Sequence, residues 1–243
     1  GQGSGGAGTG GGAQQRIEAT LQQRPATTAG VTWLQIVWAP LRDEDVIRPT
    51  EFGKDEFQDS MMHLAHTGKP PLFTYKAGKD VEARSARLRI QQESGGGRSS
   101  MDAVLLDIYP SGLLSVTINV TRLVDRGDGL AGFGMYYIDP DDVQTRLSQA
   151  WGFAARFWGH IDEFSRYSAL LYDAALYHIG HSKWGKAPVG RTSFSFPSID
   201  APDPLPVFER PRRIARADLL EPSGEIGEML EMLQMRFTEM GRV

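Results

Sequence analysis

Residues Asp139 to Phe164 read DPDDVQTRLSQAWGFAARFWGHIDEF. Asp139 is a residue type that caps a helix, and Pro140 suits the first helical position, where its missing N–H would be unpaired anyway. Asp141 and Asp142 complement the positive end of the helix dipole. Beyond them Val143, Leu147, Ala150, Trp151, Ala154, Phe157, Trp158, Ile161 and Phe164 recur at i, i+3, i+4 and i+7. Thr145, Gln149, Gly152, Arg156 and Glu163 fall on the opposite side. So wide an apolar stripe needs a flat apolar partner, and a β-sheet is the partner that supplies one.

Working outward, the strands of that sheet are legible in patches. Val31 to Trp38 is rich in β-branched and aromatic residues and is stopped by Pro40. Ala103 to Tyr109 and Leu113 to Arg122 flank Pro110-Ser111-Gly112, a hairpin signal, since Pro presets one turn dihedral and Gly permits the other. Leu72 to Lys76, Glu82 to Gln92, Gly132 to Ile138 (after a turn at Asp125 to Gly129) and Arg191 to Phe196 are further predicted strands. Ala169 to Ile179 is apolar on both alternating faces, as a central strand is, with a buried helix as the alternative. Helices are predicted at Gln14 to Gln23, at Lys54 to His66, and from Ser223, which is expected to cap a terminal helix with Ile226, Met229, Leu230, Leu233, Phe237 and Met240 on one stripe. The expected fold is α/β of the α+β kind: a mixed, mainly antiparallel sheet packed against a long central helix and a C-terminal helix.

Composition bounds the rest. The chain has 243 residues, net charge −4, 40% apolar residues and a mean hydropathy of −0.33. Its longest uncharged apolar stretch, Val31 to Leu41, is too short to span a bilayer, so no membrane partner and a cytoplasmic setting are expected. With no cysteine, disulfides, zinc–thiolate sites, iron–sulfur clusters and thiol catalysis are excluded. Residues 1–15 are expected to be a disordered Gly-rich linker and 16–243 a single α/β domain. The tether and the absence of an initiator methionine suggest an upstream domain of the same polypeptide as partner.

Each chemical motif has a structural reading beside the functional one. His63 with His66, and His178 with His181, have near-ligand spacing, yet no third ligand accompanies them and no metal site is expected. Gly95-Gly96-Gly97-Arg98 lacks a phosphate-loop pattern, and so do Gly53-Lys54, Gly68-Lys69 and Gly78-Lys79; no cofactor is expected. Asp107 and Asp173 lie inside apolar runs, where a charge calls for a partner. With Asp102 and the Asp43-Glu44-Asp45 run they form the raw material of a carboxylate-dependent hydrolase, although no nucleophile–base pair is visible. Two arginine-dense segments, Arg84, Arg87 and Arg89, and Arg210, Arg212, Arg213 and Arg216, are the candidate nucleic-acid contacts, since arginine's planar fork suits phosphate. Glu82, Glu209 and Asp218 interrupt them. Met229, Met232, Met235 and Met240 give the last helix either an adaptable binding stripe or a face that docks on its own domain.

The order of segments is similar to the C-terminal region of bacterial multidomain proteins whose N-terminal half is a Schlafen-type AlbA-like domain. Arg16-Ile17, the strand Leu34 to Leu41, the central meander, the long helix, the strand from Tyr172 to Ile179, Ala215 to Glu221 and the ending Met240-Gly241 carry the resemblance, which covers most of residues 16–242. It implies that nucleic-acid or nucleotide binding resides in the N-terminal domain, and it transfers no functional residue to this chain. Glu51-Phe52-Gly53-Lys54 resembles that family's Glu-Phe-Lys element only with a glycine interposed, after a strand that does not belong there.

The function expected from these readings is a non-catalytic accessory, sensing or oligomerisation domain of a larger intracellular bacterial protein, self-association being one form its partner takes. A nucleic-acid-binding module using the arginine segments is the first alternative, and a metal- or carboxylate-dependent hydrolase the second.

Overall fold

Strand β1, Trp33–Pro40, is buried along its whole length and forms the axis of the fold. The chain's structure is a computed structural model that describes residues 11–25, 31–74, 79–92, 102–124, 135–187 and 200–243. The other strands, in chain order, are β2 (Lys79–Arg84), β3 (Arg87–Gln92), β4 (Val104–Ile108), β5 (Leu114–Asn119), β6 (Arg122–Val124), β7 (Met135–Ile138), β8 (Ala169–Tyr177), β9 (Ser182–Trp184), β10 (Leu205–Pro206) and β11 (Arg212–Ala215). The helices are α1 (Gly11–Gln22), α2 (Asp55–His66), α3 (Pro140–Ile161) and α4 (Ser223–Glu239), with short 3-10 turns at Pro49–Gly53 and Arg216–Leu220.

The main sheet runs β8, β1, β5, β4, β3, β2, with β10 and β11 sharing the outer edge of β8. All of these pairs are antiparallel. A small second sheet, β6-β7-β9, contains one parallel pair, β7 with β9. The fold is therefore α+β with a mainly antiparallel sheet.

Side chains alternate along a strand, so β1 sends Leu34, Ile36 and Trp38 to one face and Trp33, Gln35 and Val37 to the other. On the first face lies the larger core, under α2, α3 and α4. Trp151 of α3 sits edge-on against both Trp38 and Tyr172, at 5.2 and 4.9 Å between ring centres. The second face is covered by α1, whose Ala13, Ile17 and Leu21 pack on Trp33, Val37, Ala39, Ala175 and Tyr177. The Tyr177 hydroxyl donates to the Leu21 carbonyl in the last turn of α1. It also lies 2.7 Å from the Gln35 amide, which reaches Ser115 Oγ at 2.7 Å on its other side. A buried polar relay thus pins α1 across three strands.

The Pro110–Gly112 turn forms as predicted. Gly112 takes φ of 77° and donates its N–H to the Tyr109 carbonyl at 2.9 Å. A Cβ there would lie 2.9 Å from Trp158, so the turn needs glycine for its dihedral and for its clearance. Asp139 caps α3, accepting from the Asp141 N–H at 3.0 Å.

Several expectations need correction. Residues 11–15 belong to α1 rather than to a linker, because Ala13 is drawn into the second core. Glu82 to Gln92 is two strands, not one: Arg84 pairs with Arg87, and the chain reverses at Ser85-Ala86. Residues 72–74 form no strand; Leu72 and Phe73 are buried under α2, with the Phe73 N–H donating to the Ala65 carbonyl. The strand predicted as Leu113 to Arg122 ends at Asn119, and Arg122 starts β6 in the other sheet. Helix α3 stops at Ile161, leaving Phe164 86% exposed, while Gln149, assigned to the solvent side, is buried against Arg146. Pro222, not Ser223, holds the N-cap position of α4, without a side-chain cap. The readings made for residues 1–10, Ser94 to Ser100, Asp125 to Gly129 and Arg191 to Phe196 lie outside the described residues, as do Gly78 and residues 132–134 of the predicted strand at Gly132 to Ile138.

Candidate functional site

The predicted arginine contacts are spread over the molecule. Arg87 and Arg89 sit two apart on β3 and share a face, but that face carries their counter-charges. Arg89 grips Asp107 through two bonds, Nε to Oδ1 at 2.7 Å and Nη2 to Oδ2 at 2.9 Å. Arg87 Nε lies 3.5 Å from the same carboxylate, and Arg84 Nε lies 2.5 Å from Glu82. The bond to Asp107 holds the Arg89 guanidinium above its ordinary pKa. In the second segment, Arg212 and Arg213 are neighbours on β11, opposite Tyr172 and Leu171, and therefore point to opposite faces of the sheet. Arg212 pairs with Glu228 of α4 at 2.6 Å and lies over the Phe208 ring. Arg216 turns inward, paired with buried Asp162 and donating to the Trp158 carbonyl at 2.7 Å, which closes the C-terminus of α3. Arg210 and Arg213 are exposed and make no ion pair with a described residue. No single face collects these seven side chains.

The carboxylates are likewise committed. Asp107 and Asp173 fall in one row of the sheet, through Ser115 and Val37, yet three strand spacings separate them, roughly 14 Å. Asp173 makes no ion pair with a described residue, although Arg212 acts on it through space. It lies where the outer edge of β8 passes from β11 to β10, and its Oδ1 accepts from the Ala174 N–H at 2.7 Å. Burial pushes this carboxyl up to about 6, with Glu18 adding to the rise. Asp43 pairs with Arg16, Glu44 accepts from the Tyr167 hydroxyl at 2.6 Å, and Asp102 gives its carbonyl to Gln92.

The histidine pairs separate too. His63 is exposed on α2, while His66 Nδ1 lies 3.1 Å from the Phe73 carbonyl. His178 takes a left-handed backbone, φ 59°, just past β8 and faces Asp203 at 3.6 Å, whereas His181 is exposed. Burial lowers His178 from its ordinary pKa despite Asp203. Among the described residues no group of three or more His, Asp or Glu is placed to hold a metal ion, and no helix is long and apolar enough to cross a membrane. Lys54 follows Gly53 at the start of α2 but bonds Glu51, and Gly68-Lys69 follows a helix instead of opening one. The methionine stripe of α4 is largely spent on its own domain: Met229 is fully buried, Met232 and Met240 are partly buried on the main core, and Met235 is exposed.

What the structure does assemble is a groove over the outer side of α3. Two adjoining hollows, each about 490 Å3, share Ala155, Leu219 and Leu220 as a common wall. One runs toward Ser165, Tyr167 and Arg216; the other is framed by the end of α2, the middle of α3 and the first turn of α4. Its floor is low because Ser148, Gly152, Ala155 and Gly159 occupy the side of α3 that long polar residues usually fill. Leu220, 76% exposed, stands on the rim.

Arg156 and Lys69 are the charged groups that line the second hollow. Arg156 is held firmly. Its Nε donates to the Leu64 carbonyl at 2.9 Å, so it closes the C-terminus of α2. The chain passes directly beneath its guanidinium at Gly68, where a Cβ would lie 2.3 Å from Nη2. Burial lowers its pKa, and no described carboxylate pairs with it. Sequence reasoning placed Arg156 on solvent; the missed signal was the run of small residues on that same polar side. No family model, curated protein or solved structure matches the chain.

Proposed function

We propose that the chain is a non-catalytic accessory domain that senses a ligand, with the groove over α3 as its working surface. One observation carries this reading: the buried acids and most of the arginines that a chemical or nucleic-acid role would use are tied into the fold, while the groove keeps an arginine with no carboxylate against it among the described residues. Asp107 is held by Arg89, Asp162 by Arg216, and Asp173 by the Ala174 N–H. A buried group already engaged this way is costly to withdraw for another purpose. The upstream domain of a Schlafen-type arrangement is the partner that the sequence resemblance suggests for such a module.

The experiment is a fluorescence titration of labelled single- and double-stranded oligonucleotides at two salt concentrations. An all-alanine variant of Arg210, Arg212 and Arg213 runs alongside; Arg216 is left intact because it closes α3. The net charge of −4 repels a polyanion at long range, so no appreciable binding is expected at physiological salt. Binding at about micromolar strength that is lost both in high salt and in the variant would replace this reading with the nucleic-acid module, through the counterion release that phosphate contacts bring.

A further inference from the structure

The hollow between α2, α3 and α4 has a one-sided chemistry. Its lining contains two cations, Lys69 and Arg156, and no aspartate or glutamate. That is unusual in a chain whose net charge is −4 and whose other arginines so often meet a carboxylate, as Arg16, Arg24, Arg89, Arg122, Arg212 and Arg216 do. Arg156 has the Leu64 carbonyl as its one acceptor among the described residues. Its Nη1 lies over Gly152, where a Cβ would come within 3.3 Å, and Gly152 lines the hollow. The guanidinium is therefore fixed at Nε, seated on Gly68, and open toward the hollow at Nη1. A half-buried guanidinium held in place with unused N–H groups favours an oxyanion, which would return charge and acceptors together.

The remaining walls say what the oxyanion is attached to. Leu220 and Pro70 offer apolar surface, backed by the buried Leu219 and Ile226, while Ser148 and Ser223 supply hydroxyls at the side. A hollow of about 490 Å3 has room for a small organic molecule. The first turn of α4 forms part of the same wall, but it carries Glu225, whose charge offsets the positive end of the helix dipole, so the wall's positive charge comes from Arg156 and Lys69.

We propose that this hollow binds a small organic anion, a carboxylate or phosphate carried on an apolar body, with Arg156 as the anchor of its head and the Pro70–Leu220 side receiving its body. The proposal rests on the sensing role given to the groove, and it names the chemical class sensed.

The test is isothermal titration of the whole chain with sodium octanoate and with monooctyl phosphate, using 1-octanol as the neutral molecule of similar body. One-to-one binding of at least one anion is expected, weakened about tenfold or more by the loss of the head's charge in 1-octanol. The anion that binds better identifies the head as carboxylate or phosphate. Arg156→Gln should weaken binding by at least about tenfold. Because that change also removes the bond to Leu64, Ser148→Phe serves as a second variant: it fills the hollow from the outer side of α3 without touching Arg156's bond, and it should abolish binding in a chain whose melting temperature is kept. Failure of both anions to bind, equal binding of 1-octanol, or binding that survives both variants overturns the proposal. Such a failure with oligonucleotides still unbound removes the ligand class alone, whereas oligonucleotide binding removes the sensing role itself.

Discussion

Asp173 shows how a carboxyl is kept inside this sheet without a direct ion pair, Arg212 acting on it only through space. Its carboxylate turns into the gap between β10 and β11 and satisfies the Ala174 N–H, which no strand reaches there. Burial raises its pKa to about 6, so the folded chain keeps the proton at pH values where the unfolded chain has lost it. The sign follows: below about pH 4 both states are protonated and nothing is lost, and stability declines as the pH rises from about 4 to about 6. Above that the ionised carboxylate costs the fold on the order of 2–3 kcal/mol. Asp173→Asn keeps the acceptor and removes the charge. Urea unfolding should show it more stable than the parent at pH 7.5 and equal to it near pH 4; equal stability at both would mean that water or a cation reaches the carboxylate.

Helix α3 carries the next prediction. Trp158 is fully buried against Phe157, Tyr167 and the Gly112 turn, and its indole N–H has no acceptor among the described residues, so its side chain is held by packing. Trp158→Ala should cost about 3–5 kcal/mol in denaturant unfolding, and a loss below about 1 kcal/mol would place this face of α3 on solvent. Elements like this one were readable because their signals are local: a cap and an apolar period for α3, an apolar run on both faces for β8, a Pro-Ser-Gly turn for β4 and β5. The β2–β3 hairpin was not, since Ser85-Ala86 has no Gly, Pro, Asn or Asp to announce a tight turn, and the alternation of Arg84, Ala86, Leu88 and Ile90 runs on through it. Gly11 and Gly12 disfavour helix on their own and are ordered only by the docking of Ala13 and Ile17 behind them. The groove was hidden for a related reason. Which charges cancel depends on partners distant in the chain, as Arg216 with Asp162 and Arg89 with Asp107 illustrate, and sequence spacing carries no trace of those meetings.

At the scale of the molecule, two cores lie back to back on one sheet, and among the described residues α1 is the helix that covers the second. A chain beginning at Gly11 should melt with the parent, because residues 1–10 contain no large apolar side chain to bury. A chain beginning at Gln23 loses Ala13, Ile17 and Leu21 and uncovers Trp33, Val37 and Tyr177. Burial of Ile17 and Leu21 alone contributes about 1.5–3 kcal/mol each, so its melting temperature should drop sharply, with new fluorescence from a dye that binds exposed apolar surface. An unchanged melting temperature would mean that α1 is only an ornament on the sheet. The register of the sheet has a bearing on time as well. Trp33 stands opposite Tyr177 and Pro40 opposite Leu170, so the central seam joins strands separated by more than half of the chain. Loop closure over that span must be met before the seam returns any energy, whereas β2, β3, β4 and β5 pair in sequence order. The meander is thus the natural nucleus for folding, and the chain waits, through most of its length, for β8 before its centre can close.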